Sequence, residues 1–310
     1  VRLLLEEAAE TLLQGGVVAV PTETVYGLAA SLASSKAIEE VFALKKRPGN
    51  NPLIIHIGRK EQLRELVESF PPGFELLAEA FWPGPLTLVL PVRESAVPER
   101  ARAGLPTAAF RMPAHPIALE LLKKTGPLLM PSANLSGRPS ATAPEHVEQD
   151  FGTAFPVLDG GVCLQGVEST ILIYQEGWKI GRLGALPAAV FTPLLGEEPP
   201  FARKAACPGR LHRHYSPKAL LIAGDEIPED AEALVGFEER RYPKTLPFFS
   251  LGSLKDPEAV ARNLYRTLRT LDSQKVAKAW VDLDLPEEGL WATLKERLSR
   301  AVSGCRDAEV

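Results

Sequence analysis

Thr22-Glu23-Thr24 interrupts an apolar run, with Val17–Pro21 before it and Val25 after. Two hydroxyls and a carboxylate at the end of a buried strand could orient a small polar ligand, because loops at strand ends are rigidly held. The plainer account is a strand-to-helix turn capped by Thr22 or Thr24. Lys45-Lys46-Arg47 then closes a helical pattern just before Pro48. Cations favour helix C-termini through the dipole, but Lys45 and Arg47 also point to a loop without acidic partners and could grip phosphate. His56, inside Ile54-Ile55-His56-Ile57, is either a satisfied core histidine or a ligand contact beside Thr24. Arg111 ends the apolar strand Thr107–Arg111 and needs an anion, since a buried unpaired charge is very costly. That anion is a ligand carboxylate or an internal Asp or Glu. Ser132 and Asn134 alternate onto one side of an extended segment, placing a hydroxyl beside an amide. Thr142-Ala143-Pro144-Glu145 reads as a capping box, and a capped helix start is also an anion site. Gly161 and Gly166 have P-loop spacing, but Val167 stands where the lysine belongs. It is not a phosphate loop of that kind.

The elements that carry these residues alternate between strand and helix. Val17–Val20, Pro52–Ile57, Leu86–Val92, Thr107–Arg111, Leu128–Met130 and Thr170–Ile173 read as strands, several apolar on both faces. Ser35–Lys46 and Ile117–Lys124 read as helices, and Val1–Leu13 as an amphipathic one. The connections vary too much in length for a regular doubly wound sheet, so a mixed, twisted sheet is expected. Phe81-Trp82-Pro83-Gly84-Pro85 reads as packing and a tight turn. Around Gly196–Pro217 the apolar periodicity fails, which marks a linker. A second α/β unit follows. Its strands are Leu220–Ala223, Leu246–Leu251 and Ala277–Leu283, with one helix opened by Asp256-Pro257 and another carrying Leu290, Leu294 and Leu298. It holds no GxGxxG fingerprint, so nothing supports nucleotide binding there.

The chain has 310 residues, enough for two domains, and a net charge of −4 with pI near 5.9. That balance argues against coating nucleic acid through bulk positive charge. The three cysteines, Cys163, Cys207 and Cys305, form no CxxC and suggest reduced thiols. No apolar stretch approaches the ~20 residues of a membrane span, and the N-terminal segment lacks a basic n-region. A cytoplasmic protein without membrane contact is the expectation.

In order and spacing these segments resemble the YrdC-like family. The matching stretches are PTETVYGL at 21–28, LKKRPGNNPLIIHI at 44–57, WPGPLTLVL at 82–90, AFRMP at 109–113, PSANLSGRPSAT at 131–142, GVESTI at 166–171 and Arg182. CPGRLHRHYSP at 207–217 is similar to a segment peculiar to the long, two-domain threonylcarbamoyl-AMP-forming members. Leu211 and His212 depart from it, the latter where a tyrosine is usual. The helix Asn263–Asp272 and the segment Gly289–Ala301 fit the C-terminal domain of that form. The resemblance implies an α/β fold: a twisted mixed-sheet YrdC-like catalytic domain over 1–196, a linker or lid over 197–217, and a smaller Rossmann-like α/β domain over 218–310.

It also implies a nucleotidyltransferase that condenses L-threonine, bicarbonate and ATP into threonylcarbamoyl-adenylate and pyrophosphate. A partner transferase then moves the threonylcarbamoyl group to adenosine 37 of certain tRNAs, so that tRNA contact is indirect. By the same resemblance Thr24, His56, Arg111, Ser132 and Ser169 surround threonine, with Arg111 on its carboxylate. Lys45, Arg47, Asn51, Thr107, Asn134, Thr142 and Arg182 line the ATP side, where Lys45 and Arg47 stabilise phosphate charge. Tyr215, with His214 beside it, closes over the nucleotide, and Mg²⁺ accompanies ATP. Positioning and charge stabilisation suffice for such chemistry, and no Ser-His-Asp or Cys-His set competes. Two rival readings are an RNA-binding module gripping phosphates through Lys45, Lys46 and Arg47, and a carbamoyl-adenylate-forming domain of the hydrogenase-maturation kind. The latter sits in larger chains with zinc-finger-like cysteines.

Overall fold

Strands apolar on both faces need cover on both sides, and the chain supplies it with helices and a second domain. The computed structural model describes residues 1–203 and 214–303. Its main sheet runs in the order Arg2–Leu3, Val157–Leu158, Val18–Val20, Gly27–Ser31, Leu128–Leu129, Ile54–His56, Thr107–Arg111, Leu86–Pro91, Thr170–Tyr174 and Trp178–Arg182. Parallel and antiparallel pairings alternate irregularly along it, so the sheet is mixed, as expected. Helix Ser35–Lys45 forms where the periodicity places it, with the Ser34 hydroxyl accepting the Ala37 amide at 3.2 Å.

Several local readings change. The first residues are not helical: Arg2–Leu3 pairs with Val157–Leu158, and the helix begins only at Leu5. Thr22–Thr24 joins two strands, Val18–Val20 and Gly27–Ser31, rather than a strand and a helix. Gly27–Ser31 escapes a propensity reading because Gly27-Leu28-Ala29-Ala30-Ser31 has no β-branched residue; cross-strand partners on both sides make it a strand. Val157–Leu158, Trp178–Arg182 and Ala233–Phe237 escaped as well. The helix after Thr142 is capped by Ala143, since Pro144 already occupies its first turn; Thr142 instead uses its amide and hydroxyl on His146 Nδ1, at 3.1 and 3.3 Å.

The second domain has four parallel strands in the order Leu220–Ile222, Lys278–Val281, Ala233–Phe237 and Phe248–Gly252. Helices Pro257–Ser273 and Leu290–Ser303 pack on it, the first capped by Asp256, which accepts the Ala259 amide at 2.8 Å. Between the domains, Pro200 to Ala202 hydrogen-bond along Ile180 at the main sheet's edge. Linker positions 204–213, including Cys207, Leu211 and His212, lie outside the described residues, as does Cys305.

The two domains are locked together by buried polar contacts. Arg269 pairs with Asp150 at 2.8 Å, both side chains 2% exposed, and donates to Pro139 O at 2.6 Å. Arg138 pairs with Asp272 at 2.6 Å. At Gly166, in the left-handed region with φ of 73°, a Cβ would lie 2.3 Å from Ala261 O, so only glycine lets the loop meet the second domain's helix.

Candidate active site

A cavity lies where one face of the main sheet meets the end of the linker, at His214 and Tyr215. Ile54 and His56, two residues apart, present the same sheet face to it, and Arg111 pairs in register with His56 on the adjacent strand. The site therefore spreads over the face of the sheet as well as its strand ends.

Thr22 folds the loop after Val18–Val20 back on itself. Its Oγ1 accepts the amides of Thr24 and Val25, each at 3.2 Å, and donates to Val25 O at 2.6 Å. That turn holds Thr24 Oγ1 at 2.8 Å from the Arg111 Nη1 donor. Arg111 also donates from Nε to Gly84 O at 3.1 Å, and its Nη2 lies 2.7 Å from Glu23 Oε1. The arginine thus has an internal acid as partner while still lining the cavity. The Trp82–Pro85 turn, read as packing alone, supplies the carbonyl that orients it. His56 is buried, and desolvation, then Arg111, pull its pKa well below the ordinary histidine value. The ring is neutral at pH 7, and its Nδ1 has no protein partner among the described residues. Ser169 shares a 2.7 Å hydrogen bond with Thr87 and accepts from Arg182 Nη2 at its carbonyl, 2.9 Å.

Two more cations line the cavity, Arg47 and Arg182, the latter bonded to Ser169. Half-buried Arg47 donates to Asn51 O and Pro52 O at 3.1 and 2.8 Å, and burial together with neighbouring Arg182 pushes its pKa down to about 9. Guanidinium groups keep their proton in proteins, so the pressure on Arg47 is an electrostatic cost that a bound anion would relieve. Ser132, Asn134, His214 and Tyr215 complete this wall. Asn134 spends its Nδ2 on Leu135 O and Arg138 O, leaving Oδ1 buried and unpaired among the described residues. Tyr215 adopts a left-handed φ of 66° and stacks on Tyr265 of the second domain at 5.6 Å.

Four expected residues are not brought to the wall. Lys45 is 1% exposed, and its Nζ donates to Ser132 O and to Asn134 O, 2.5 and 2.6 Å away. It buttresses the loop behind the cavity and is not a cationic edge, because two carbonyls claim it first. Replacing Lys45 by methionine should cost about 2–4 kcal/mol by orphaning buried carbonyls; urea denaturation showing wild-type stability would contradict the buttress. Thr107 shares the sheet face of Arg111 but lies about 13 Å away along the strand, past a buried apolar cluster of Ile54, Val89, Ala109, Ile171 and Ala202. Thr142 is spent on His146, and Asn51 is buried, its amide group unpaired among the described residues and off the cavity wall.

Arg138, Ser140 and Glu168 line the cavity although sequence reasoning passed over them. Glu168 sits in the same situation that drew attention to Arg111, a charge beside a buried apolar strand, and the same argument would have found it. Its carboxylate accepts from Ser140 Oγ at 2.6 Å, from Tyr265 OH at 2.9 and 3.0 Å and from Arg297 Nε at 3.0 Å. Burial alone would raise this carboxyl, but Arg297, Arg182 and Ser140 outweigh it and hold the pKa at about 2. A folded-state value below the ordinary 4.5 stabilises the fold above that pH, and the contribution disappears as pH falls toward 2. Acid unfolding between pH 4.5 and 2 should therefore be flatter in Glu168→Gln than in the wild type; identical profiles would contradict the pairing.

Similarity to known proteins follows the same outline. The family described as "Telomere recombination", which groups Sua5, YciO and YrdC, matches residues 10–184, and "Threonylcarbamoyl-AMP synthase, C-terminal domain" matches 189–303. Threonylcarbamoyl-AMP synthase of Pyrococcus abyssi is 40% identical, covering 98% of this chain and 95% of its own length. That of Bacillus subtilis is 36% identical, over 97% and 93%. The crystal structure of P. abyssi Sua5 complexed with L-threonine superposes with a TM-score of 0.88 at 37% identity, covering 97% of this chain and 94% of that one. The chain belongs to the Sua5–YciO–YrdC family. Within it, the chain is of the two-domain threonylcarbamoyl-AMP synthase type.

Proposed function

We propose that this enzyme condenses L-threonine, bicarbonate and ATP into threonylcarbamoyl-AMP and pyrophosphate. The observation that supports this reading is one cavity lined both by Arg111, Thr24, His56 and Ser169 and by the cations Arg47 and Arg182, the last bonded to Ser169. An amino-acid carboxylate suits the first set and a triphosphate the second. The threonine amine and bicarbonate form a carbamate and water. A carbamate oxygen then attacks the α-phosphate in line, and the bond to the β-phosphate breaks, releasing pyrophosphate. The protein supplies alignment and cationic stabilisation of the phosphate oxygens, Arg47 and Arg182 acting there while neutral His56 contacts threonine without adding charge. The threonine-bound P. abyssi relative supports the amino-acid half. The threonylcarbamoyl group would pass to adenosine 37 of tRNA through a separate transferase.

Among the described residues no group of three or more His, Cys, Asp or Glu side chains could hold a metal, and Glu168 is already committed to Ser140, Tyr265 and Arg297. The wall does not fit a protein-held Mg²⁺, which in this proposal enters with the ATP. Of the cations of the RNA-binding reading, Arg47 lines the cavity, Lys45 is buried behind it and Lys46 is exposed. Incubating the full chain with threonine, bicarbonate and ATP should release pyrophosphate only when threonine is present. Threonine-independent release with carbamoyl phosphate would favour the hydrogenase-maturation chemistry, and no release would defeat the proposal.

A further inference from the structure

The second domain touches the cavity-lining Glu168 and Tyr215 through Tyr265 and Arg297. Arg297, fully buried on helix Leu290–Ser303, donates from Nε to Glu168 and from Nη2 to Leu183 O at 2.7 Å, and its guanidinium lies 4.7 Å from the centre of the Tyr215 ring. Both Glu168 and Tyr215 line the cavity. Gly184 shows how tightly this corner is built. A Cβ there would lie 2.3 Å from the backbone of Ser169 and Thr170, and its carbonyl accepts from Thr293 of the same helix at 2.9 Å.

We infer that Arg297 is a positioning residue for nucleotide binding: it keeps the Glu168 carboxylate paired, so that the wall presents net positive charge to a triphosphate. Among the described residues the other acids near the wall are matched, Glu23 against Arg111, Asp272 against Arg138, and Glu296 against Arg300 as well as Arg297. Glu168 therefore decides the balance against Arg47 and Arg182. Without Arg297 a buried carboxylate would face the same space as the phosphates, and at short range in a poorly solvated site that repulsion is large. The inference rests on the proposed ATP site and adds to it a role for the second domain.

Among the described residues the charged and titratable groups around Glu168 are Arg297, Arg182, Tyr265, Tyr215 and His214, with Glu296 beyond Arg297. Burial, followed by Arg47, lowers His214 to about 3, and burial raises both tyrosines, so none of them titrates between pH 5.5 and 8.5. In Arg297→Met the carboxyl of Glu168 loses the larger of its two cationic partners, keeping Arg182, and its pKa rises from about 2. Equilibrium ATP binding by the full-length protein should then be weaker by roughly ten- to a hundredfold at pH 8.5, and the defect should shrink as the pH is lowered and the carboxyl protonates. Glu168→Gln/Arg297→Met should recover wild-type-like affinity with a flat profile, which loss of packing alone would not produce. Should Arg297→Met fail to fold, Glu168→Gln decides the matter by binding ATP several-fold more tightly. Weaker binding by Glu168→Gln, or a defect in Arg297→Met that ignores pH and survives the second substitution, overturns the inference. Absence of ATP binding by the wild type would instead overturn the functional proposal beneath it.

Discussion

Replacing Arg111 by alanine is expected to weaken threonine binding by on the order of a hundredfold while changing ATP affinity less than about fivefold. The asymmetry follows from position. Arg111 is held between Thr24, Gly84 O and Glu23 beside neutral His56, whereas Arg47 is held by Asn51 O and Pro52 O and Arg182 by Ser169. A guanidinium anchored on three sides meets a carboxylate with little further ordering, which is what makes a charge-assisted pair strong. The same substitution strands Glu23, 6% exposed, without its cation, and should destabilise the fold by about 3–5 kcal/mol. Glu23→Gln/Arg111→Ala separates the two effects: it should recover most of the stability and none of the threonine affinity. Titration calorimetry with each substrate and denaturant melts supply the readouts. Equal losses for threonine and ATP would remove Arg111 from the threonine side.

The second large effect is structural. Arg269→Ala should cost about 3–5 kcal/mol, because Asp150 is left buried and unpaired. Asp150 receives both terminal nitrogens of Arg269 and also the Leu135 amide at 3.1 Å, in the loop that carries Ser132 and Asn134. Loss of Arg269 also orphans Pro139 O. Binding of both substrates should therefore weaken along with stability, and Asp150→Asn/Arg269→Met should regain part of the stability by removing both charges. A single variant that melts with the wild type would show that the domains do not depend on this pair.

Much of the catalytic lobe could be read locally. Thr107–Arg111 has the bounds its apolar pattern implied, because a strand covered on both sides shows as a continuous run. Arg111 and Arg47 were identifiable because a charge at the end of an apolar run, or in a loop without acids, needs an explanation. Lys45 defeated the same logic. Its sequence neighbourhood is that of a phosphate ligand, but the carbonyls that capture it belong to residues 87 and 89 positions away. The Thr142 cap failed for a local reason, since Pro144 fixes the helix start one residue later than the box pattern suggests.

By itself the sequence determined the alternation of elements, the family and the short list of polar residues with no place in a core, since each depends on neighbours along the chain. Tertiary structure alone decided which of those residues share a cavity, that Glu23 is the partner of Arg111, and that Glu168 answers to Tyr265 and Arg297, 97 and 129 residues away. The physical reason is that pairing and burial of charge are set by distance in space, and two side chains that meet across a domain interface leave no periodic trace in the order of residues.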